Sequence, residues 1–333
     1  MPAEPNTMDG LLVVDKPGRA GASNKPPAAG EPSVERLWTS HDVVARVRRL
    51  SGQRRIGHTG TLDPMASGVL VLCLGFATRL VEYYQGEDKR YVAEVALGYA
   101  TDTFDVEGKV VETMPVPALT VENVESALVP FRGTVWQVPP AYSAIKQEGE
   151  ALYARARRGE TVSADARQVT FHSIDLLDFL PPDRLRLAVH CSAGAYIRSL
   201  AYDLGRSLNT AATLAVLRRE TVGEFGLADA VTLEQIEAAA ADGRLATLLR
   251  KPGDKLPLPQ VQLPAELRRR LAHGQHLPLS RALCPVDYTA GQPLVQVRDE
   301  AGNLAGVMRC LQPPTDTSDP ASAAVWKAEK WLS

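Results

Sequence analysis

A short stretch between residues 54 and 70 constrains the fold of this 333-residue chain more than any other. Two arginines open it, three glycines and one proline lie within it, and it leads into an unbroken apolar run over residues 69–74. Glycine permits tight turns and close backbone approaches, and proline holds the residue before it in an extended conformation. The pattern predicts a stiff loop that leads into a buried strand or helical segment.

Asp63 is the acidic residue of that loop, and it stands directly before Pro64. Catalytic carboxylates are commonly held on a rigid loop beside a core element. The same pattern also fits an Asx-turn, in which the aspartate only accepts a hydrogen bond from its own backbone. The loop alone leaves both interpretations open.

Composition narrows the class of protein. Apolar residues make up 45% and charged residues 23% of the chain, as in ordinary globular proteins, and the length predicts one large domain with a smaller one. The net charge of −2 gives no overall basic signature, so local charge must indicate any nucleic-acid partner.

Four cysteines lie far apart without a CxxC pair, which favours free thiols over zinc or disulfides. Without an apolar run of 18 residues or a signal-peptide pattern, we expect a cytoplasmic protein with no membrane span.

Hydrophobic periodicity predicts a chain of mixed strands and helices. The predicted strands are 10–17, 91–98, 135–140, 185–192, 214–219, 294–299 and 304–309. The predicted helices are 39–50, 76–85, 120–129, 195–205, 232–240 and 243–250, with a short one around 268–270. The proline-rich residues 251–259 read as a linker between domains.

Two segments concentrate basic residues. Five arginines fall within residues 46–55, which contain no acid, so this segment could be a solvated face or a contact for a polyanion. Residues 141–168 interleave cations with tyrosines, a pattern that suits RNA backbone and bases but also fits a solvated helix. The residues that form this second pattern are Lys146, Arg155, Arg157, Arg158, Arg167, Tyr142 and Tyr153.

Four motifs, at residues 57–64, 89–91, 195–198 and 217–219, together resemble those of the bacterial tRNA pseudouridine-55 synthases, the TruB family. The likeness runs from about residue 10 to about residue 225, and the C-terminal part resembles a PUA RNA-binding domain. It implies an α+β fold with a mixed, largely antiparallel sheet, flanking helices and a central RNA-binding cleft. The implied domains are a catalytic domain at 9–250 and a small β-rich PUA-like domain at 256–333.

The resemblance also implies the reaction. The T-loop uridine at position 55 of tRNA is flipped out, its base is detached, rotated and rejoined to ribose through carbon, with no cofactor and no metal. Asp63 would be the catalytic carboxylate, acting on the ribose or the base, with Arg198 as its counter-ion. Tyr91 would stack on the target base and help remove the final proton. From the sequence alone, Asp203 is the structural alternative as partner of Arg198, because a buried arginine needs an anion.

Substrate-binding roles follow from the same likeness. His58 would fill the gap left by the flipped nucleotide, Tyr196 and Leu217 would line the pocket, and Lys89 and Arg90 would hold phosphates. Residues 139–168 would clamp the tRNA T-stem-loop, and we expect the enzyme to act as a monomer.

One feature departs from the family pattern. The Asp-Lys-Pro turn at residues 15–17 is normally followed within a few residues by the Thr-Ser-His-Asp helix start, here at residues 39–42. The 21 intervening residues, 18–38, are rich in glycine, alanine and proline, and we interpret them as a flexible inserted loop in solvent.

Two other functions compete. An RNA-binding or tRNA-folding module without catalysis would use the same basic segments and leave Asp63 as a turn residue. A hydrolase with Asp63 as nucleophile would need a histidine base, and His41, His172 and His190 are available, but none lies in a hydrolase motif.

Overall fold

The computed structural model describes residues 8–19, 37–143, 145–147, 149–152, 155, 158, 160, 162, 164–288 and 292–332. Most of the predicted insertion at 18–38 lies outside these residues, as do Tyr153 and Arg157.

The first part of the chain contains thirteen of the described strands. These are β1 (Gly10–Lys16), β2 (Ile56–His58), β3 (Ser67–Leu74), β4 (Lys89–Leu97), β5 (Tyr99–Thr101), β6 (Val110–Thr113), β7 (Gly133–Gln137), β8 (Lys146–Gln147), β9 (Glu150–Ala151), β10 (Arg167–Leu180), β11 (Arg184–Cys191), β12 (Ala212–Val222) and β13 (Phe225–Gly226). The C-terminal part adds β14 (Gln260–Gln262), β15 (Leu277–Ser280), β16 (Leu294–Arg298), β17 (Leu304–Gln312) and β18 (Ala323–Trp331).

The helices lie between these strands. They are α1 (Ser40–Ser51), α2 (Val81–Gln85), α3 (Val121–Leu128), α4 (Ile197–Ser207), α5 (Leu233–Ala241) and α6 (Ala265–Ala272), with 3₁₀ turns at Gly75–Leu80, Val129–Phe131, Leu227–Asp229 and Leu245–Leu248. Among the residues that the structure describes, no helix is long and apolar enough to cross a membrane.

The larger sheet has the strand order β1-β3-β12-β4-β11-β10-β7, with β2 added on β3 and β13 on β12. Among its described pairings only β3 and β12 run parallel. The predicted mixed, largely antiparallel sheet is therefore confirmed. Side chains alternate between the two faces of this sheet: in β4, Tyr91, Ala93 and Val95 point into one core, while the residues between them do not.

The two faces of this sheet are covered differently. Helices α1 and α4 pack their apolar stripes on the face that carries Tyr91 and Leu217. The opposite face of β1 and β3 packs against the residues of α2 and against the C-terminal part of the chain, through side chains such as Leu256 and Val307. A site can therefore form on the face that carries Tyr91 and Leu217, between α1 and α4.

A second sheet, with the order β14-β16-β17-β18-β15, forms a separate β-rich unit. Its own core surrounds Trp326, which is fully buried. The small β-rich C-terminal unit implied by the sequence is confirmed, and its PUA-like character stays a prediction.

The structure departs from the predicted secondary structure in several places, including several short strands and β18, and two of the departures have a clear cause. The helix predicted at 243–250 is wrong: only a 3₁₀ turn forms at Leu245–Leu248, because Gly243 adopts φ +68° and ends the preceding helix. The fourteen-residue strand β10 was not predicted, because polar and apolar residues alternate irregularly on its exposed half.

Gly68 is essential to the packing of β3 on β12. It adopts φ +106°, and a Cβ there would lie 2.1 Å from the carbonyl oxygen of Arg219. We expect Gly68→Ala to lower the free energy of unfolding by about 3 kcal/mol or more, since strain and overlap add. Gly243→Ala is the control: its φ is also positive but the space is open, so about 1 kcal/mol is expected. The free energies of unfolding are measured by urea denaturation. Equal losses of free energy in Gly68→Ala and Gly243→Ala would contradict this account of how β3 packs on β12.

Candidate active site

The loop between β2 and β3 presents Asp63 at the edge of the core that contains Tyr91 and Leu217. The side chain of Asp63 is 28% exposed, whereas Leu62, Met65 and Ala66 around it are buried. Ser40, the first residue of α1, donates to the carbonyl oxygen of Leu62 (3.1 Å) and accepts from its amide (2.8 Å). The acid therefore stands on a loop fixed by its neighbours, as predicted for a rigid presentation.

Arg219 on β12 holds the same loop from beneath. Its side chain is 1% exposed, and its guanidinium donates to the carbonyl oxygens of Val69 (2.7 Å), Gly60 (3.1 Å) and Thr61 (3.4 Å). The buried guanidinium thereby satisfies its own donors on the backbone of the loop.

Lys16, at the end of β1, is a second buried cation beside the loop. Its ammonium donates to the carbonyl oxygens of Pro17 (2.8 Å) and Pro64 (3.1 Å). Burial lowers the pKa of this ammonium from 10.5 to about 8, against the opposing effect of the Asp63 carboxylate. The carbonyl that Lys16 binds belongs to the residue directly after Asp63, so the lysine helps to fix the position of the acid.

Arg198, in the first turn of α4, is the counter-ion of Asp63. Its Nη2 lies 3.0 Å from Oδ1 of Asp63, and the guanidinium side chain is only 5% exposed. It also donates to the carbonyl oxygens of Thr103 (3.0 Å) and Tyr142 (2.9 Å), and lies 3.6 Å from Oδ2 of Asp105. The structure thus brings together the predicted pair, with Asp105 rather than Asp203 as the second carboxylate.

Tyr91 and Leu217 lie on the same face of the sheet, in the neighbouring strands β4 and β12. Both are buried, at 9% and 5% exposure. Burial raises the pKa of the Tyr91 hydroxyl, although the adjacent Arg219 opposes this effect. The hydroxyl therefore keeps its proton near neutral pH, and the ring is a neutral aromatic surface.

Tyr196 and His58 lie at the edges of the site. Gln137 holds the backbone of Tyr196 by accepting from its amide (2.8 Å) and donating to its carbonyl oxygen (3.0 Å). His58, in β2, accepts from the amide of Gly60 through Nδ1 (3.3 Å). Burial and the charge of Arg219 lower the pKa of His58, so its ring is neutral near pH 7.

The structure separates the two cations predicted to hold phosphates. Lys89 is 7% exposed, and its ammonium donates to the carbonyl oxygens of Gln85 (2.8 Å) and Glu87. Its assignment as a phosphate contact stays a prediction, which this burial does not favour, since the ammonium is already bound by protein carbonyls. Arg90 is exposed on the opposite face of the sheet from Tyr91.

Acidic neighbours reduce the free charge of the basic segments. Arg46 of α1 pairs with Glu237 (2.7 Å), while Arg48 and Arg49 of α1, and Arg54 and Arg55 just after it, are exposed. Within residues 139–168, the described Arg155 and Arg158 both pair with Glu160 at 2.8 Å. This segment nevertheless reaches the site, because the carbonyl oxygen of Tyr142 accepts from Arg198.

A cavity of about 370 Å³ opens beside the loop, on the side of its anchor Lys16. Asp15, Ser67 and Arg218 contribute to its wall, and Arg218 donates to both carboxylate oxygens of Asp15 (2.9 and 3.3 Å). The cavity adjoins the loop and does not include Asp63 itself.

Comparison with known proteins now decides the family. Residues 48–197 match the N-terminal domain of the TruB family pseudouridylate synthases, and residues 198–288 match the C-terminal domain of tRNA pseudouridylate synthase B. The chain belongs to the TruB family. A protein named tRNA pseudouridine synthase B from Ralstonia nicotianae is 45% identical over 81% of this chain and 86% of its own length. Its namesake from Dehalococcoides mccartyi is 38% identical over 97% and 99%.

Solved structures support the fold. A chain in a structure of an H/ACA RNP bound to a substrate RNA containing 2′-deoxyuridine aligns with 98% of this chain and 86% of its own, with a TM-score of 0.68 at 20% identity. A chain in an archaeal box H/ACA sRNP Nop10-Cbf5 complex covers 100% and 89%, with a TM-score of 0.67 at 21% identity. At these identities the likeness concerns the fold alone, and it confirms the predicted α+β class.

Sequence reasoning missed the residues that hold the loop, Lys16, Ser40 and Arg219, and Gln137, which holds the backbone of Tyr196. Arg219 lies in one of the four motifs that carried the family resemblance, and Lys16 and Ser40 lie in the turn and the helix start on either side of the insertion. A stronger signal was present, since a lysine or arginine in an otherwise apolar strand must find acceptors when that strand is buried.

The lowered pKa of Lys16 predicts a pH effect on stability. Between about pH 8 and pH 10.5 the unfolded chain keeps this proton while the folded protein loses it, so stability conferred at this position rises with pH. From about pH 8 to pH 10.5 we therefore expect the melting temperature of the wild type to rise relative to that of Lys16→Met. Lys109→Met removes an exposed lysine and should show a constant difference. A constant difference for Lys16→Met as well would refute the buried charge.

Proposed function

We propose that Asp63 is the nucleophile with which this tRNA pseudouridine synthase isomerises the T-loop uridine at position 55. The bond between ribose C1′ and uracil N1 breaks, the base turns, and C1′ bonds to C5. C5 then loses its proton, N1 gains one, and the Asp63 carboxylate is released. An ionised carboxylate serves equally for addition to the ribose or to the base. The observation that carries the proposal is the 3.0 Å pair between Arg198 and Asp63 on the face that bears Tyr91.

The pair supports a nucleophile because of where each partner lies. Arg198 is buried and held by two backbone carbonyls, whereas Asp63 is partly open to solvent. A guanidinium at hydrogen-bond distance holds the carboxylate in one orientation. A turn residue that merely closed an Asx-turn would not need a buried guanidinium aimed at it.

Tyr91 supplies the surface on which the everted uracil would stack. Its raised pKa favours this stacking role over the abstraction of the final proton, because the phenol holds its own proton near neutral pH. Leu217 lies on the neighbouring strand of the same face and would form the apolar side of the pocket. Tyr196, held by Gln137, would complete it.

Base flipping leaves a gap in the RNA loop that a protein group must fill. His58 lies two residues before Gly60 at the start of the catalytic loop, and its neutral ring suits insertion between bases. The exposed arginines of α1 and the segment 139–168 would contact phosphates of the T-stem-loop. Arg90, on the other face of the sheet, is a weaker candidate for the same task.

We propose that the protein works as a monomer, with a catalytic domain at 9–250 and a PUA-like RNA-binding domain at 256–333. The separate sheet of β14 to β18 supports this division. All four cysteines are free and buried, which agrees with a reducing compartment such as the cytoplasm. The comparisons do not favour an RNA-binding module without catalysis.

The nucleophile is tested with Asp63→Asn. On unmodified tRNA transcript, we expect no pseudouridine at position 55, while affinity for the T-stem-loop stays within about threefold of the wild type, because the amide keeps the shape of the acid. Asp175→Asn, which removes an exposed carboxylate of β10, should form product normally. Pseudouridine formation by Asp63→Asn, mapped by position, would overturn the mechanism.

The counter-ion is tested with Arg198→Lys. A lysine keeps the charge but cannot donate to Asp63, Thr103 and Tyr142 with the planar geometry of the guanidinium. We expect kcat to fall about 100-fold or more, with a smaller effect on the melting temperature than on turnover. Arg206, on the same helix, pairs with Glu112 at the surface, so Arg206→Lys is the control and should keep activity. Full turnover by Arg198→Lys would contradict the proposed pair.

A further inference from the structure

Three side chains outside the active site converge on the open face of the large sheet. His172 of β10, His190 of β11 and Asp88, which directly precedes β4, each offer one ligand atom, and these atoms lie within 4.8 Å of one another. They are 84 and 18 residues apart along the chain, so only the pairing of the strands brings them together. The active-site face, with Tyr91 and Asp63, lies on the other side of β4.

A β-bulge creates the cluster. The register of β10 on β11 shifts between Phe171 and Ser173, so His172 is the extra residue that faces no partner of its own. A bulge redirects a side chain, and here the ring of His172 comes within 4.6 Å of the ring of His190, measured between centroids. Both rings turn toward Asp88, whose Oδ2 lies 3.0 Å from Nε2 of His172 and 3.7 Å from Nε2 of His190.

We propose that Asp88, His172 and His190 form a binding site for a divalent transition-metal ion, with Zn²⁺ the best match. Ligands of a tetrahedral zinc ion at about 2.1 Å stand roughly 3.4 Å from one another, close to the two spacings measured to Asp88. Two imidazoles and one carboxylate are a common zinc donor set, and water would complete the coordination. Mg²⁺ and Ca²⁺ prefer oxygen ligands and would bind poorly.

The surroundings set the expected affinity. The three side chains are between 23% and 46% exposed, so an ion can reach them and small rotations can close the site. Burial and the charge of Arg90 lower the pKa of His190, which leaves its ring nitrogen free to bind metal near neutral pH. The same arginine repels a cation, and we therefore expect micromolar rather than nanomolar binding.

The ion would join three elements of the sheet: the residue before β4, the C-terminal end of β11, and the bulge of β10. A metal that binds only the folded state raises stability with its concentration. The predicted effect is therefore a zinc-dependent rise in melting temperature, independent of turnover on tRNA.

The test uses untagged, full-length protein freed of metal with a chelator, because a polyhistidine tag would bind zinc itself. Calorimetric titration with zinc chloride should give one ion per chain, and a saturating excess should raise the melting temperature by roughly 5 °C. His172→Gln and His190→Gln should each weaken binding at least about tenfold. Both positions are partly exposed, so the chelated variants should melt close to the wild type.

His276→Gln is the matched control, since it removes an exposed histidine far along the chain in the second sheet's unit. It should leave binding unchanged, and magnesium chloride should produce no saturable heat. Absence of saturable zinc binding by the wild type would reduce the cluster to an ion pair and overturn the proposal. Full binding by either His172→Gln or His190→Gln would overturn it equally.

Discussion

The guanidinium of Arg198 is the interaction on which the site depends. Burying a positive charge is costly unless it finds anions and acceptors, and here the partners of its two terminal nitrogens come from three separate loops: Asp63, Thr103 with Asp105, and Tyr142. Asp105 is the more distant carboxylate, at 3.6 Å, and burial raises its pKa against the opposing charge of Arg198. Asp63, closer and more exposed, is left as the principal counter-ion.

The proposed nucleophile, Asp63, must be both fixed and accessible, and different residues of the loop meet these two requirements. Leu62, Met65 and Ala66 are buried and anchor the loop in the core, while Asp63 itself stays partly open. Below them, Lys16 and Arg219 bind loop carbonyls instead of the acid. The backbone is therefore held by cations that leave both carboxylate oxygens available to Arg198 and the substrate.

The sequence predicted the parts of this arrangement that have a linear signature: the stiff loop, the strand of Tyr91, the helix of Arg198 and the family that unites them. It could not show how a buried cation is satisfied, because the acceptors of Lys16 and Arg219 are backbone carbonyls that every residue possesses. The burial of Lys89 was not anticipated, although strand alternation sends Lys89 and Arg90 to opposite faces of the sheet.

Alternation along β4 also sets how far its two faces can influence one another. Lys89 and Tyr91 point to the catalytic face, whereas Asp88 and Arg90 belong to the face that carries His190. An ion held there would share a backbone with Tyr91, which suggests regulation. Yet β4 is a central strand, paired with β11 along one edge and with β12 along the other. Those ladders already fix Tyr91, so an ion at Asp88 would add stability to the sheet more than it would move the stacking surface.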